Sequence, residues 1–153
     1  DNASSRGLGD VYKRQIGTAS KKEIEKINIL NASLLAMKRS ILKLKLKPKI
    51  IKVDGNKKPY INNLNIKSVV RGDQKIPEIS AASILAKVSR DRLIKKMSKK
   101  FKAYLWDKNV GYGTRDHLSA IKKFGITKHH RKTFKPIHNI FESQIIKGTI
   151  NQN

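Results

Sequence analysis

The sequence predicts an α/β domain, and three observations predict it. Two short β-branched segments, KIIKV at residues 49–53 and IKSVV at residues 66–70, are each followed within three residues by an acid beside a glycine. Apolar residues recur at helical spacing before the first segment and again after the second. The 153 residues are 38% hydrophobic, enough for one core, with no internal repeat.

Ser20 with Glu23 three residues on is a capping-box signature. Beyond it Ile24, Ile27, Leu30, Leu34, Met37 and Ile41 follow three- and four-residue spacing, which predicts an amphipathic helix broken once near residues 28–31. Pro48 forbids its continuation. Residues 49–53 read as a strand, 56–59 as a turn, and 66–70 as a second strand ending at Arg71-Gly72-Asp73. Pro77 suits the first turn of a helix and Glu78 suits its dipole, so residues 79 to about 102 read as one long helix. Ala81, Ala82, Ser83 and Ala86 give that helix a smooth face able to lie close to a sheet, while Ile84, Leu85, Val88, Ile94, Met97 and Phe101 supply larger contacts. Gly111-Tyr112-Gly113 is a loop, Thr114 can cap a short helix carrying Leu118, Ile121 and Phe124, and Gly125 ends it. Residues 127–136 form a basic connector, 137–146 a last amphipathic helix, and 148–153 a frayed tail.

There is no cysteine, which excludes disulfides and thiolate metal sites and suits the cytoplasm. No apolar run reaches the length of a membrane span, and nothing reads as a signal peptide. Thirty-five Lys and Arg against eleven Asp and Glu leave a net charge of +24, which favours polyanionic partners through counterion release. The excess is mostly Lys, beside abundant Ile and Asn, so the composition of an AT-rich genome is the other source of such a charge. Residues 1–15 (DNASSRGLGDVYKRQ) begin without Met, lack apolar periodicity and resemble translated adapter sequence. They are set apart as a non-native leader, with a disordered natural leader as the alternative.

The eleven acids can be sorted one by one. Asp1 and Asp10 lie in the leader; Glu23, Glu78 and Asp116 fall in first turns of helices; Glu25 and Glu142 lie on solvent faces; Asp91 pairs with basic neighbours; Asp107 is in a polar loop. Asp54 and Asp73 remain, each just past a strand. Strand ends are where metal sites collect in open sheets, and two carboxylates suit Mg²⁺ or Mn²⁺. Asp-Gly and Gly-Asp are equally ordinary turn signals, and pattern alone leaves both readings open. His117, His129, His130 and His138 lack zinc-pair spacing and read as surface or phosphate-contact positions. Tyr112 between two glycines can stack on a sugar or base, or pack locally in its turn. Lys122, Lys123, Lys128, Arg131, Lys132 and Lys135 form a basic run after it, or a solvated face.

Four pieces in order resemble bacterial ribonuclease HII: VDGNKKP at 53–59, GDQKIPEISAASILAKVSRDR at 72–92, GYGTRDH at 111–117 and HHRKTFKPI at 129–137. The helix INILNASLLAM at 27–37 is similar too, so the resemblance spans residues 16–137. It implies a ribonuclease-H-like fold: a mixed sheet flanked by helices, with a helical C-terminal extension over residues 138–153. It implies an endonuclease, acting as a monomer, that cuts 5′ of ribonucleotides in RNA–DNA hybrids or embedded in duplex DNA, by two-metal-ion catalysis with Mn²⁺ or Mg²⁺. By motif match Asp54 and Asp73 become catalytic metal ligands, Tyr112 packs on the deoxyribose at the RNA–DNA junction, and Ser83 and Lys87 face the substrate backbone. The resemblance also implies an Asp-Glu pair in a DEVGRG-like motif on a first strand, and this sequence has no such motif. The chain is therefore expected to be a fragment lacking the first strands of the catalytic domain and inactive alone. Where the family often has HKGY, this chain has Asn109-Val110-Gly111-Tyr112, without the Lys. Two other readings are a non-catalytic basic RNA-binding protein of ribosomal type, which accounts for the charge alone, and the related ribonuclease HIII.

Overall fold

A computed structural model describes residues 14–146; most of the suspected leader and the tail at 147–153 lie outside the described residues. The chain divides into two compact units after Ala86, inside a helix that runs through the division.

In the first unit, helix α1 (Lys21–Leu42) starts as the capping box requires. Ser20 Oγ accepts the Glu23 N–H at 3.2 Å, and Glu23 Oε2 accepts the Ser20 N–H at 2.7 Å. Arg39, 16 residues on and past a break in the helix, closes a bidentate pair with Glu23 at 2.6 and 3.0 Å and donates to the Thr18 carbonyl at 2.8 Å. Residues ahead of the helix thus lie along it, and a Cβ at Gly17 would overlap the Ala36 carbonyl oxygen. The break expected near residues 28–31 sits at Asn28 (φ 64°, ψ 170°). Its Oδ1 accepts the Asn31 N–H at 3.0 Å and so recaps the second half of the helix.

Strands β1 (Ile51–Asp54) and β2 (Ile66–Val69) pair in parallel, with Ile51 opposite Ile66 and Asp54 opposite Val69. Among the described residues this pair is the whole sheet. Parallel neighbours need a crossover connection, since a tight hairpin cannot reverse the chain twice. Residues 55–65 supply it without a helix, held by Lys58 Nζ on the Ile66 carbonyl at 2.8 Å. Val53 and Ile66 are buried. A short helix, α2 (Gly72–Lys75), follows β2 after a two-residue turn; its four residues hold no apolar period that would mark it in the sequence.

Helix α3 (Pro77–Ser98) begins at the expected proline. It stops before the expected residue 102, because residues 99–100 turn and a 3₁₀ turn (Lys102–Tyr104) takes over. Ile79 is buried, but Ala81, Ala82, Ser83, Ile84, Leu85 and Ala86 are exposed. The smooth face is there, and nothing among the described residues covers it.

The second unit holds helices α4 (Trp106–Asn109), α5 (Arg115–Phe124) and α6 (Lys135–Ile146). Thr114 Oγ1 caps α5 on the His117 N–H at 3.3 Å, and Gly125 at φ 77° ends it, both as expected. The core joins Tyr104, Trp106, Ala120, Ile121, Ile137 and Ile140, with Ile94, Met97, Phe101, Leu118 and Ile126 packed against it. Ile121 is fully buried, a burial that contributes roughly 1.5–3 kcal/mol. The Tyr104 hydroxyl donates to the Gly125 carbonyl at 3.0 Å, and burial pushes its pKa up.

Candidate functional site

Asp54 ends β1 and Gly72-Asp73 opens α2, three residues past β2. The parallel register brings these two strand ends to the same edge. Asp54 Oδ1 accepts two backbone N–H groups, from Gly55 at 2.9 Å and from Gly72 at 2.7 Å. One oxygen is thus pinned, while Oδ2 takes no hydrogen bond among the described residues. The close approach depends on Gly72: it is buried, and a Cβ there would stand 2.7 Å from Ile79 Cδ1 and 3.4 Å from Asp54 Oδ1. Arg71, at φ 54° in the left-handed region, turns the chain from β2 into α2. Asp73 is exposed in the first turn of α2, one residue from the Asp54–Gly72 bond.

Two oxygen-donor carboxylates suit a hard divalent cation in kind, and Mg²⁺ is commonly held by one or two carboxylates with the remaining positions filled by water and phosphate oxygens. They do not suffice for a cage, since the described residues contain no group of three His, Cys, Asp or Glu able to hold a metal.

Ser83 and Lys87 are both exposed on α3, four residues apart and so on one helical face. Tyr112 lies in the second unit and is 53% exposed, and the Arg90 guanidinium stands over its ring at 4.9 Å. Arg90 in turn pairs with Asp91 at 3.0 Å, the basic neighbour expected for that acid. The Tyr112 N–H donates to the Asn109 carbonyl at 2.8 Å, and its own carbonyl accepts the Thr114 N–H at 2.9 Å.

The histidines correct the sequence reading. His117 and His130 are not surface positions: they are 3% and 4% exposed. Trp106 Nε1–H donates to His117 Nε2 at 2.9 Å, His117 Nδ1 meets the Tyr112 carbonyl at 2.8 Å, and the two Nε2 atoms stand 3.2 Å apart. The Thr127 N–H donates to His130 Nδ1 at 2.9 Å. A buried imidazole needs partners for both nitrogens, and here the Trp, two backbone groups and the second His supply them. One signal was available: His117 lies four residues before Ile121 and seven before Phe124, on the apolar stripe of α5.

A sequence profile of the family described as Ribonuclease HII matches residues 9–137, which overlaps the end of the suspected leader. The chain is 66% identical over 125 residues to ribonuclease HII of Pelagibacter ubique, covering 82% of this chain and 67% of that one. It is 44% identical over 125 residues to ribonuclease HII of Roseobacter denitrificans, covering 82% of this chain and 63% of that one. The chain thus spans about two thirds of the length of these relatives. The crystal structure of ribonuclease H2 from Pyrococcus horikoshii superposes with a TM-score of 0.61 at 26% identity, over 81% of this chain and 66% of that one. The α/β fold therefore has the ribonuclease-H-like character that the resemblance implied, its sheet represented here by one parallel pair. Profile, relatives and fold agree, and the chain belongs to the ribonuclease HII family.

Proposed function

We propose that this chain carries half of the metal-binding carboxylates, and the substrate-facing aromatic, of an endonuclease that hydrolyses the phosphodiester 5′ of a ribonucleotide in an RNA–DNA hybrid or in duplex DNA. The observation that carries the reading is the Asp54–Gly72 bond, which holds two strand-end acids at one edge of the parallel pair. Asp54 and Asp73 would hold Mg²⁺ or Mn²⁺, and the bound cation would supply charge neutralisation at the scissile phosphate. Asp54 would do this with Oδ1 fixed by two N–H groups and Oδ2 left to the cation. Ser83 and Lys87 offer a hydroxyl and an ammonium to backbone phosphates, contacts that position without reading sequence. Tyr112 offers a ring face to a sugar. The charge of +24 draws the duplex in. With two carboxylates rather than four, the chain binds metal weakly and does not cut by itself.

The metal reading is tested by adding Mn²⁺ to the ¹⁵N-labelled chain. Paramagnetic broadening is expected at the Gly55 and Gly72 amides first, and Asp54→Asn should abolish it. Broadening centred elsewhere, or unchanged in Asp54→Asn, would remove these acids from the metal site. The ribosomal-type reading predicts the latter and leaves the profile match without a cause.

A further inference from the structure

The ring of Tyr112 is aimed by the backbone that carries it. Both ends of the Tyr112 peptide are tied: the N–H to the Asn109 carbonyl, the C=O to the Thr114 N–H and to His117 Nδ1. The turn is further held by Asn109, a buried side chain. Its Oδ1 accepts the Gly111 N–H at 2.8 Å, and its Nδ2 donates to the Tyr104 carbonyl at 2.8 Å. Val110 at φ 42° and Gly111 at φ 79° are strained or glycine-favouring conformations, which persist only where surrounding bonds enforce them. The backbone is locked and the residue is half exposed, the arrangement of a presented side chain.

The bond partners fix the proton positions in the buried pair. Trp106 Nε1 can only donate, so His117 Nε2 must bear the lone pair, and the proton of a neutral His117 sits on Nδ1, where it points at the Tyr112 carbonyl. The Thr127 N–H likewise assigns the lone pair of His130 to Nδ1 and its proton to Nε2, 3.2 Å from His117 Nε2. His117 Nε2 thus faces two donors that share its one lone pair, Trp106 at 2.9 Å and His130 at 3.2 Å, and its own proton is left for the carbonyl of the tyrosine. We propose that His117 is a positioning residue for Tyr112: held as the Nδ1–H tautomer by Trp106 and His130, it fixes the carbonyl of the tyrosine and so the angle at which the ring meets a ribonucleotide-containing duplex. This rests on the reading of Tyr112 as a substrate contact.

The two claims separate in a binding assay on the chain itself, using a fluorescein-labelled DNA duplex with one embedded ribonucleotide. Tyr112→Ala should weaken binding about tenfold, in the range for one stacking ring. An unchanged affinity would remove Tyr112 from the interface and overturn the reading on which the inference rests. His117→Gln puts its amide near Nε2 and gives up the Nδ1 donor, and should weaken binding about threefold to tenfold. His117→Asn, whose amide can stand in for Nδ1–H, should restore most of it. In the Tyr112→Ala background His117→Gln should add nothing, because it acts through the ring. Equal losses in the Asn and Gln variants, or a full additional loss in the double variant, would reduce His117 to core packing and overturn the proposal. Should the Gln variant fail to fold, as read by emission of Trp106, the chain's single tryptophan, the unsubstituted chain still decides. Long-range ¹H–¹⁵N spectra should show His117 protonated on Nδ1 and His130 on Nε2, and the opposite tautomer at His117 overturns the proposal.

Discussion

Gly72 is the residue on which the acidic edge depends. Its N–H reaches Asp54 Oδ1 at 2.7 Å only because no Cβ intervenes against Ile79 Cδ1 and Val69 Cβ. Its cost is steric and not conformational, since only Gly55, Gly111 and Gly125 among the described glycines have positive φ. Gly72→Ala is therefore expected to force the Ile79 side chain aside and to lower stability by about 1–3 kcal/mol, the range for overpacking. A urea melt measures the loss; a melt unchanged by the methyl would mean that Ile79 yields without cost. At the same scale the acids were legible in the sequence, because Asp54 and Asp73 stand beside glycine at strand ends. Pattern could not separate ligand from turn, and the ligand reading of both acids comes from the family motif alone. His117 and His130 were misplaced for a physical reason: Trp106 lies 11 residues from His117 and the two histidines lie 13 apart, so packing of separate segments is what brings these rings together.

Among the elements, α1 shows local chemistry strong enough to read in advance. Its start was legible because Ser20 and Glu23 satisfy each other's backbone, and its break because Asn28 can leave helical geometry and recap from its own side chain. Asn28→Ala should cost about 0.5–2 kcal/mol through the lost cap, and far-UV dichroism through a thermal melt measures it. The Arg39 guanidinium and the Ser20 N–H lower the Glu23 carboxyl from the ordinary 4.5 to about 2. A depressed carboxylate gives stability that is fully present above its unfolded pKa and is lost as pH falls through its folded one. The contribution of Glu23 should thus disappear between pH 4.5 and 2. Melts of the parent and of Glu23→Gln over that window should converge toward the acid end; a constant gap would show that the pair does not stabilise α1. The parallel direction of β1 and β2 was not legible, because residues 55–65 carry turn formers that suit a hairpin as well as a crossover, and the choice depends on what lies beside the strands. The short helices α2 and α4 are too brief for any period to mark them.

At the scale of the molecule, the family was legible from the ordered motifs, and the profile, the relatives and the fold bear it out. The charge of +24 pointed to a polyanion but carried no chemistry. The exposed small and apolar face of α3 was anticipated as a sheet-facing surface, and that anticipation came from residue size alone. The division after Ala86, inside α3, has no sequence signal, since helical spacing continues across it without a break. No described helix is long and apolar enough to cross a membrane, in line with the mixed composition of even the longest ones. The central claim is that Asp54 and Asp73 serve metal-dependent cleavage at ribonucleotides once the remaining acids are supplied. The most direct measurement is a cleavage assay in Mg²⁺ and in Mn²⁺ on a DNA duplex with one embedded ribonucleotide. The chain alone is compared with the chain joined ahead of Ile16 to the first strands of a family member carrying the Asp-Glu pair. The account predicts no cut by the chain alone, a cut 5′ of the ribonucleotide by the joined protein, and loss of that cut in Asp54→Asn; a joined, folded protein that cuts equally well with Asn at position 54 would contradict it.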